Sequence, residues 1–165
     1  GYDGIVFANA IGAATISLEN TNLGTEWFIN SKTNGNFAVS LQGSGLTEMD
    51  MDGSGNVEFS GTVMENSSYT TKHEIQPVDT ETVLNQVIAL PISRWIYNHD
   101  QNKSQHMGPM AEDFYAAFGL GASDKVIATL DTSGVALASI QALHEKQQKM
   151  MAQKKQGNRT SEIRA

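Results

Sequence analysis

A serine and a lysine that could act together chemically stand five residues apart in the segment Ser67-Ser68-Tyr69-Thr70-Thr71-Lys72. A serine hydroxyl becomes a nucleophile when a nearby base removes its proton. A lysine amine can be that base only in its neutral form, which burial favours by lowering the pKa of the amine. The pair therefore suits cleavage of a peptide bond, although a serine-rich loop with a solvent-exposed lysine has the same sequence.

Other ionisable residues give weaker indications of a site. His73 lies beside the lysine and is typical of a solvated loop. His99, Asp100 and His106 flank a polar segment, but their spacing matches no metal-binding motif. We expect His106 to cap or orient the turn that follows it rather than to bind a metal.

Two acidic groups are also better explained by local structure than by chemistry. Counted from Asp50, position twelve of an EF-hand loop would be Gly61 instead of a bidentate glutamate, so residues 50–56 predict a plain turn. Glu112 and Asp113 are adjacent and would point about 100° apart on a helix. We expect them to stabilise the N-terminus of that helix through its dipole, and we predict no metal and no cofactor.

Residues 1–65 have the pattern of a β-rich segment. They are rich in Gly, Asn, Ser and Thr, and Gly- and Asn-containing turn signals separate short apolar runs. The predicted strands cover residues 15–18, 27–29, 37–41 and 57–63, and the predicted turns cover 34–36, 43–45 and 52–56. Strands with so little apolar surface need partners, either other strands or other chains.

From residue 67 the pattern becomes mainly helical. Asp79 or Thr80 is the predicted N-cap of a first helix that ends at Pro91. The following predicted elements are a strand over 92–97, a hairpin loop over 98–105, a helix over 109–118, an extended segment or short strand over 127–130, and a turn over 131–134.

A last helix is predicted from about residue 135 to residue 155, with a frayed tail after Gly157. Its residues at alternating spacings of four and three match the a and d positions of a coiled coil; they are Ala136, Ile140, Leu143, Gln147, Met150 and Lys154. The pattern lasts less than three heptads. Periodicity alone therefore leaves open whether the helix pairs with other chains or packs on its own domain.

The composition excludes several classes of protein. The chain has 165 residues, which predicts one or two domains, and a formal net charge of −7, which argues against nucleic-acid binding. It has no cysteine, and no apolar run approaches the roughly 20 residues of a membrane span. The opening Gly1-Tyr2-Asp3-Gly4 has no signal-peptide pattern, and we expect the sequence to be a fragment of a longer chain.

Four segments, in this order, resemble the C-terminal intramolecular chaperone of phage tail spikes and tail fibres, the S74 peptidase family or endosialidase-type chaperone. They are residues 67–72, 83–97, 106–113 and 131–143. The resemblance implies an α+β fold: a β-rich fibre stem segment (1–66), a mostly helical chaperone domain that ends in a long helix (67–156), and a flexible tail (157–165). It also implies an intertwined homotrimer, in which the chaperone domain sets the register of stem strands that otherwise pair slowly.

The resemblance assigns chemistry to the junction. The family's nucleophile and base correspond to Ser67 and Lys72, and the bond to be cut is Asn66–Ser67. The chain would then be a self-cleaving serine endopeptidase that acts once. Phage members often have Asp after the serine, whereas this chain has Ser68, which leaves the efficiency of cleavage and the choice between the two serines open.

Two alternatives remain at this stage. One is a structural trimerisation cap that never cuts. The other is a receptor-binding tip, in which Trp27 and Phe28 stack on a host-surface glycan, although buried strand residues would have the same pattern. In each case the expected partners are two further copies of the chain and the upstream fibre stem, on a virion tail fibre or an extracellular or cell-surface fibre of a phage, prophage or bacterium.

Overall fold

A computed structural model describes the backbone of residues 5–10 and 13–163 and the side chains of residues 14–157. The chain divides into two compact units, residues 1–65 with 98–102 and residues 66–97 with 103–165. A β-sheet region precedes three α-helices, the last of which is long. The predicted α+β class is confirmed at this level.

The first unit is a single antiparallel sheet in which each strand pairs with the next along the chain. In the described residues its strands are β1 (Ile5–Ala10), β2 (Ala13–Asn20), β3 (Thr25–Ser31), β4 (Phe37–Leu41), β5 (Met49–Met51) and β6 (Val57–Phe59). Three predicted strands lie within β2, β3 and β4. The fourth was predicted over 57–63, and the observed strand β6 covers only its first three residues. Strands β1 and β5 were not predicted from the sequence.

The register gives the sheet one apolar face. Paired residues lie on the same face, and the pairing continues from strand to strand through the row Ile16, Ile29, Val39, Met49 and Phe59. Two neighbouring rows add Leu18, Trp27 and Leu41 on one side and Phe37, Met51 and Val57 on the other. All of these side chains from β2 to β6 are half-buried or exposed in the single chain.

The opposite face of the sheet is held by polar contacts between strands. Thr15 Oγ1 donates to Asn30 Oδ1 at 2.9 Å, and Asn30 Nδ2 donates to Ser40 Oγ at 3.0 Å. The Lys32 ammonium pairs with the carboxylate of Asp50, and this hydrogen bond lowers the pKa of Asp50. The two faces therefore differ sharply in polarity, as expected for a sheet with one covered face.

The second unit is built on helix α1 (Thr80–Ala89), which contacts both α2 (Ala111–Phe118) and α3 (Thr129–Ile163). Asp79 caps α1 as predicted, accepting from the amides of Glu81 and Thr82 at 3.1 and 3.3 Å. Hydrogen bonds from Thr82 lower the pKa of this carboxyl. Helix α2 ends at Gly119, whose φ of 63° suits the left-handed C-terminal position that glycine favours.

The buried side chains of this unit lie where the helices meet. Among the described residues they are Leu84, Phe114, Val135, Ser139 and Ala142. Gln86 Nε2 donates to the carbonyl of Ala117 at 2.6 Å, which ties α1 to α2. A two-stranded hairpin, β7 (Ser93–Trp95) and β8 (His106–Gly108), lies between α1 and α2 in the chain. The loop between these strands agrees with the predicted hairpin, although β7 is shorter than predicted.

The start of α3 corrects the sequence prediction. Residues 129–134 are helical, so the predicted extended segment over 127–130 and turn over 131–134 are wrong from residue 129 onward. Thr132 Oγ1 and Ser133 Oγ donate to the carbonyl of Thr129 at 2.8 and 2.9 Å. The polar side chains that suggested a turn are thus satisfied inside the helix. Packing of Val135 and Ser139 compensates for the helix-weakening Gly134.

The far end of α3 extends beyond the predicted limit. The helix continues through Gly157 to Ile163, although the sequence predicted a tail from residue 157. Its 35 residues correspond to a length of about 52 Å. From residue 147 to 157 every position is exposed to solvent in the single chain.

Replacing Leu84 with Ala should destabilise the helical unit by about 3 kcal/mol, because it leaves a cavity between packed helices. Leu84 is 3% exposed, whereas Ile88 on the same helix is 72% exposed. Ile88→Ala is therefore the matched control and should change the free energy of unfolding by less than about 0.5 kcal/mol. Urea unfolding followed by circular dichroism measures both. Equal effects would contradict the assigned core.

Candidate functional site

The structure brings the predicted serine and lysine into direct contact. Lys72 Nζ donates a hydrogen bond to Ser67 Oγ across 2.6 Å. Both residues are exposed in the single chain. The two functional groups thus have the distance that proton transfer requires.

A short 3₁₀ turn over Tyr69–Thr71 produces this contact. The amide of Thr71 donates to the carbonyl of Ser68 at 3.1 Å, and the amide of Lys72 donates to the carbonyl of Tyr69 at 3.4 Å. These two bonds fold the backbone so that residues five apart meet. Lys72 itself returns to extended backbone, with φ −124° and ψ 153°.

Ser68 is the N-cap of the turn. Its Oγ accepts from the amide of Thr70 at 3.2 Å and lies 2.9 Å from Thr70 Oγ1. The hydroxyl of Ser68 is therefore engaged in the turn, while the hydroxyl of Ser67 meets the lysine. Of the two serines, Ser67 is therefore the one whose hydroxyl contacts the lysine amine.

Asn66 also contacts the turn. Its Oδ1 accepts from the amide of Ser68 at 3.3 Å and from Thr71 Oγ1 at 3.4 Å. Asn66, on the N-terminal side of the predicted cleavage site, is thus hydrogen-bonded to two residues on the C-terminal side. The sequence analysis missed this network, although Asn, Ser and Thr are typical of turns closed by side chains.

The direction of the Ser67–Lys72 bond has a chemical consequence. In this state the amine of Lys72 donates and the hydroxyl of Ser67 accepts. A general base must instead accept the hydroxyl proton. Base catalysis by Lys72 would therefore need the reversed hydrogen bond, in which Ser67 Oγ donates to Lys72 Nζ.

The remaining histidine candidates lie in other surroundings. His73 is exposed beside Lys72. His106, on β8, stacks against Trp95 at 6.1 Å between ring centroids and meets Tyr97 edge-on at 5.2 Å. It serves the packing of the hairpin. In the part of the chain that the structure describes, no group of three or more His, Asp or Glu side chains could hold a metal ion.

The acidic candidates have structural contacts. Glu112 and Asp113 lie in the first turn of α2, as predicted, and Lys125 Nζ donates to Glu112 at 2.9 Å, which lowers the pKa of that carboxyl. Asp52 accepts from the amides of Ser54 and Asn56 at 2.8 and 2.9 Å. The predicted plain turn therefore has its own side-chain closure.

The two aromatic residues of the proposed glycan platform do not form one surface. Trp27 and Phe28 are neighbours on β3, and successive side chains of a strand point to opposite faces of the sheet. Trp27 lies in the apolar face with Leu18 and Leu41, whereas Phe28 pairs with Ser17 and Ser40. A stacking pair made of these two rings is therefore wrong.

An apolar groove of about 630 Å³ lies elsewhere in the helical unit. It is lined by the β7–β8 hairpin, the beginning of α2 and residues 125–129. A Cβ on Gly108 would approach the ring of Trp95 to 3.1 Å, so glycine fits this position closely. The sequence analysis did not identify the groove, because its walls come from segments distant in sequence.

Taken together, the chain is a β-sheet unit followed by a helical unit that carries a serine–lysine pair at its first residues. Residues 67–119 match the Peptidase_S74 family model, described as chaperone of endosialidase. The resemblance stated from the sequence is confirmed for this segment, which begins at Ser67 and ends at Gly119. No curated protein matches the chain. No helix of the described residues is long and apolar enough to cross a membrane.

Proposed function

We propose that the chain is an intramolecular chaperone that trimerises, sets the register of a fibre β-stem, and then cuts itself at Asn66–Ser67. Ser67 is the nucleophile and Lys72 is the base. The stem belongs to a tail fibre or another surface fibre. The observation that carries the proposal is the 2.6 Å contact between Lys72 Nζ and Ser67 Oγ, at the start of the segment that matches the chaperone family.

The sheet supports the trimer. A single layer with one apolar face loses little water-exposed apolar surface by itself, and among the described residues of the first unit only Ala38 is buried. Three such sheets with their apolar faces together would bury the Ile16–Phe59 row and its neighbours. The hydrophobic effect then favours assembly over the separate chain.

Helix α3 supports the same association. Its face toward α1 holds Val135, Ser139 and Ala142, while Ile140 and Leu143 remain 60% and 54% exposed. These two residues belong to the predicted a/d seam, which is thus left free by the intrachain packing. A largely polar helix whose later turns are exposed gains most of its stability from partner helices.

The chemistry follows from the position of the nucleophile directly after the bond to be cut. Ser67 Oγ gives its proton to Lys72 Nζ and attacks the carbonyl carbon of Asn66. The carbon–nitrogen bond breaks, and the released nitrogen takes the proton from Lys72. An ester now joins Asn66 to Ser67 Oγ. Water hydrolyses it to a carboxylate on Asn66 and the free hydroxyl of Ser67.

Assembly provides the trigger in this proposal. The single chain leaves Ser67 and Lys72 exposed, and neighbouring chains in the trimer would remove water from the pair. A desolvated lysine releases its proton more readily. Cleavage is therefore coupled to correct assembly, and removal of the chaperone leaves the stem kinetically trapped.

Intact mass spectrometry of the purified protein should show a break between Asn66 and Ser67. Ser67→Ala should abolish the break because the nucleophile is gone. Lys72→Arg should slow it at least about 100-fold, because arginine keeps the charge but does not act as a base. Ser93→Ala, an exposed serine of the same unit, is the control and should be cut normally. An intact trimeric wild type would indicate a structural cap that does not cut.

Hydroxylamine should trap the ester. Added during cleavage at neutral pH, it should convert the new C-terminus at Asn66 into a hydroxamate, which peptide mass spectrometry identifies. Direct attack of water on the peptide would give only the carboxylate. A cyclic imide at Asn66 that also forms in Ser67→Ala would show that the asparagine side chain, not the serine, breaks the bond.

Charged substitutions on the free face of α3 should block both assembly and cutting. Ile140→Glu with Leu143→Glu should give an uncut monomer, since both side chains are exposed in the single chain and helical content should be kept. Gln141→Glu with His144→Glu, also at exposed α3 positions but off the seam, should stay trimeric and be cut. Analytical ultracentrifugation and intact mass report the two properties. A cut monomer would disprove the coupling.

A further inference from the structure

Residues 66–72 form a turn at the junction of the two units, here called the junction turn, and Ser68 has more contacts in it than its exposed position suggests. Its amide donates to Asn66 Oδ1 at 3.3 Å, and its Oγ accepts from the amide of Thr70 at 3.2 Å. Its carbonyl accepts from the amide of Thr71 at 3.1 Å and from Thr71 Oγ1 at 2.9 Å. Every polar group of this residue is therefore bonded within the turn.

We propose that Ser68 is a positioning residue, whose side-chain cap holds the turn that places Lys72 against Ser67. This inference rests on the proposed self-cleavage and gives a second serine a role in it. Ser68 does not touch the lysine amine or the bond to be cut through its side chain. It acts by fixing the backbone between the nucleophile and the base.

The turn over Tyr69–Thr71 depends on a side-chain cap for its stability. A turn of three residues has only two backbone hydrogen bonds of its own here, from Thr71 and Lys72. Such a short turn is unstable in water without side-chain closure, because each bond must offset the loss of backbone freedom. The Oγ of Ser68 satisfies the amide of Thr70, which has no acceptor inside the turn.

The chemistry of the cap specifies which substitutions keep it. The turn needs an acceptor oxygen that is bonded either to Cβ, as in Thr, or to the next carbon, as in Asp. Ala has no such oxygen. An acceptor is sufficient, and a nucleophilic hydroxyl is not required. Replacement by Asp therefore separates a positioning role from a nucleophilic role, since a carboxylate that caps the turn cannot replace a serine nucleophile in forming a stable ester.

The test is the rate of cleavage at Asn66–Ser67 in four forms of the full chain: wild type, Ser68→Ala, Ser68→Asp and the control Ser93→Ala. Loss of the cap should slow cutting about fivefold, the equivalent of a typical cap energy near 1 kcal/mol. Ser68→Asp should restore the wild-type rate to within about twofold. Trimer content, measured by ultracentrifugation, should be the same in all four.

A second measurement reports the turn without cutting. In a Ser67→Ala background, the amide of Thr70 should exchange its hydrogen faster when Ser68 is Ala than when it is Ser or Asp. Wild-type cleavage rates in Ser68→Ala, or a Ser68→Asp variant as slow as Ser68→Ala, would overturn the positioning role and leave the Ser67–Lys72 mechanism intact. An uncut wild type would overturn self-cleavage itself, and this role with it.

Discussion

Packing of α1 against the first turns of α3 is the constraint on which the helical unit depends. Leu84 on α1 and Val135, Ser139 and Ala142 on α3 supply most of the buried side chains in the described residues. Because α1 also contacts α2, the same packing holds the segment that matches the chaperone family. It fixes one face of α3 inside the unit and leaves the Ile140–Leu143 face outside. A small core thus determines which surface is offered to other chains.

The junction turn differs from the helical core, because hydrogen bonds rather than buried side chains hold it together. Residues from Asn66 to Lys72 are exposed, yet side-chain oxygens of Asn66 and Ser68 close the backbone on itself. Such a turn can present a serine and a lysine to each other before any partner arrives. What it does not supply is a dry environment, because these side chains are exposed in the described part of the single chain. The single chain thus positions the serine and the lysine, and the proposed assembly would activate them by removing water.

The sequence predicted those parts of the fold that depend on local signals. Asp79 before an apolar run identified the start of α1, and alternation with glycine-rich turns identified β2, β3 and β4. It failed at residues 129–134, where Thr132, Ser133 and Gly134 suggested a turn but tertiary packing extended the helix. It paired Ser67 with Lys72 by spacing and resemblance. The cap by Ser68 was not visible, since it depends on backbone conformation that residue types alone leave open.

Charge is divided unevenly along the chain, and the basic residue that pairs with Asp50 is an example. Lys32 is the one basic residue before Ser67, against eight acidic residues, while residues 67–165 carry ten of each sign. The formal charge of −7 therefore lies wholly in residues 1–66, and residues 67–165 are formally neutral. In the proposed trimer, three acidic copies of residues 1–66 would repel each other as they approach, whereas three neutral copies of residues 67–165 would not. Salt screens such repulsion over about 8 Å at physiological ionic strength, so the proposed assembly would need stronger contacts between the neutral segments at low salt than at high salt.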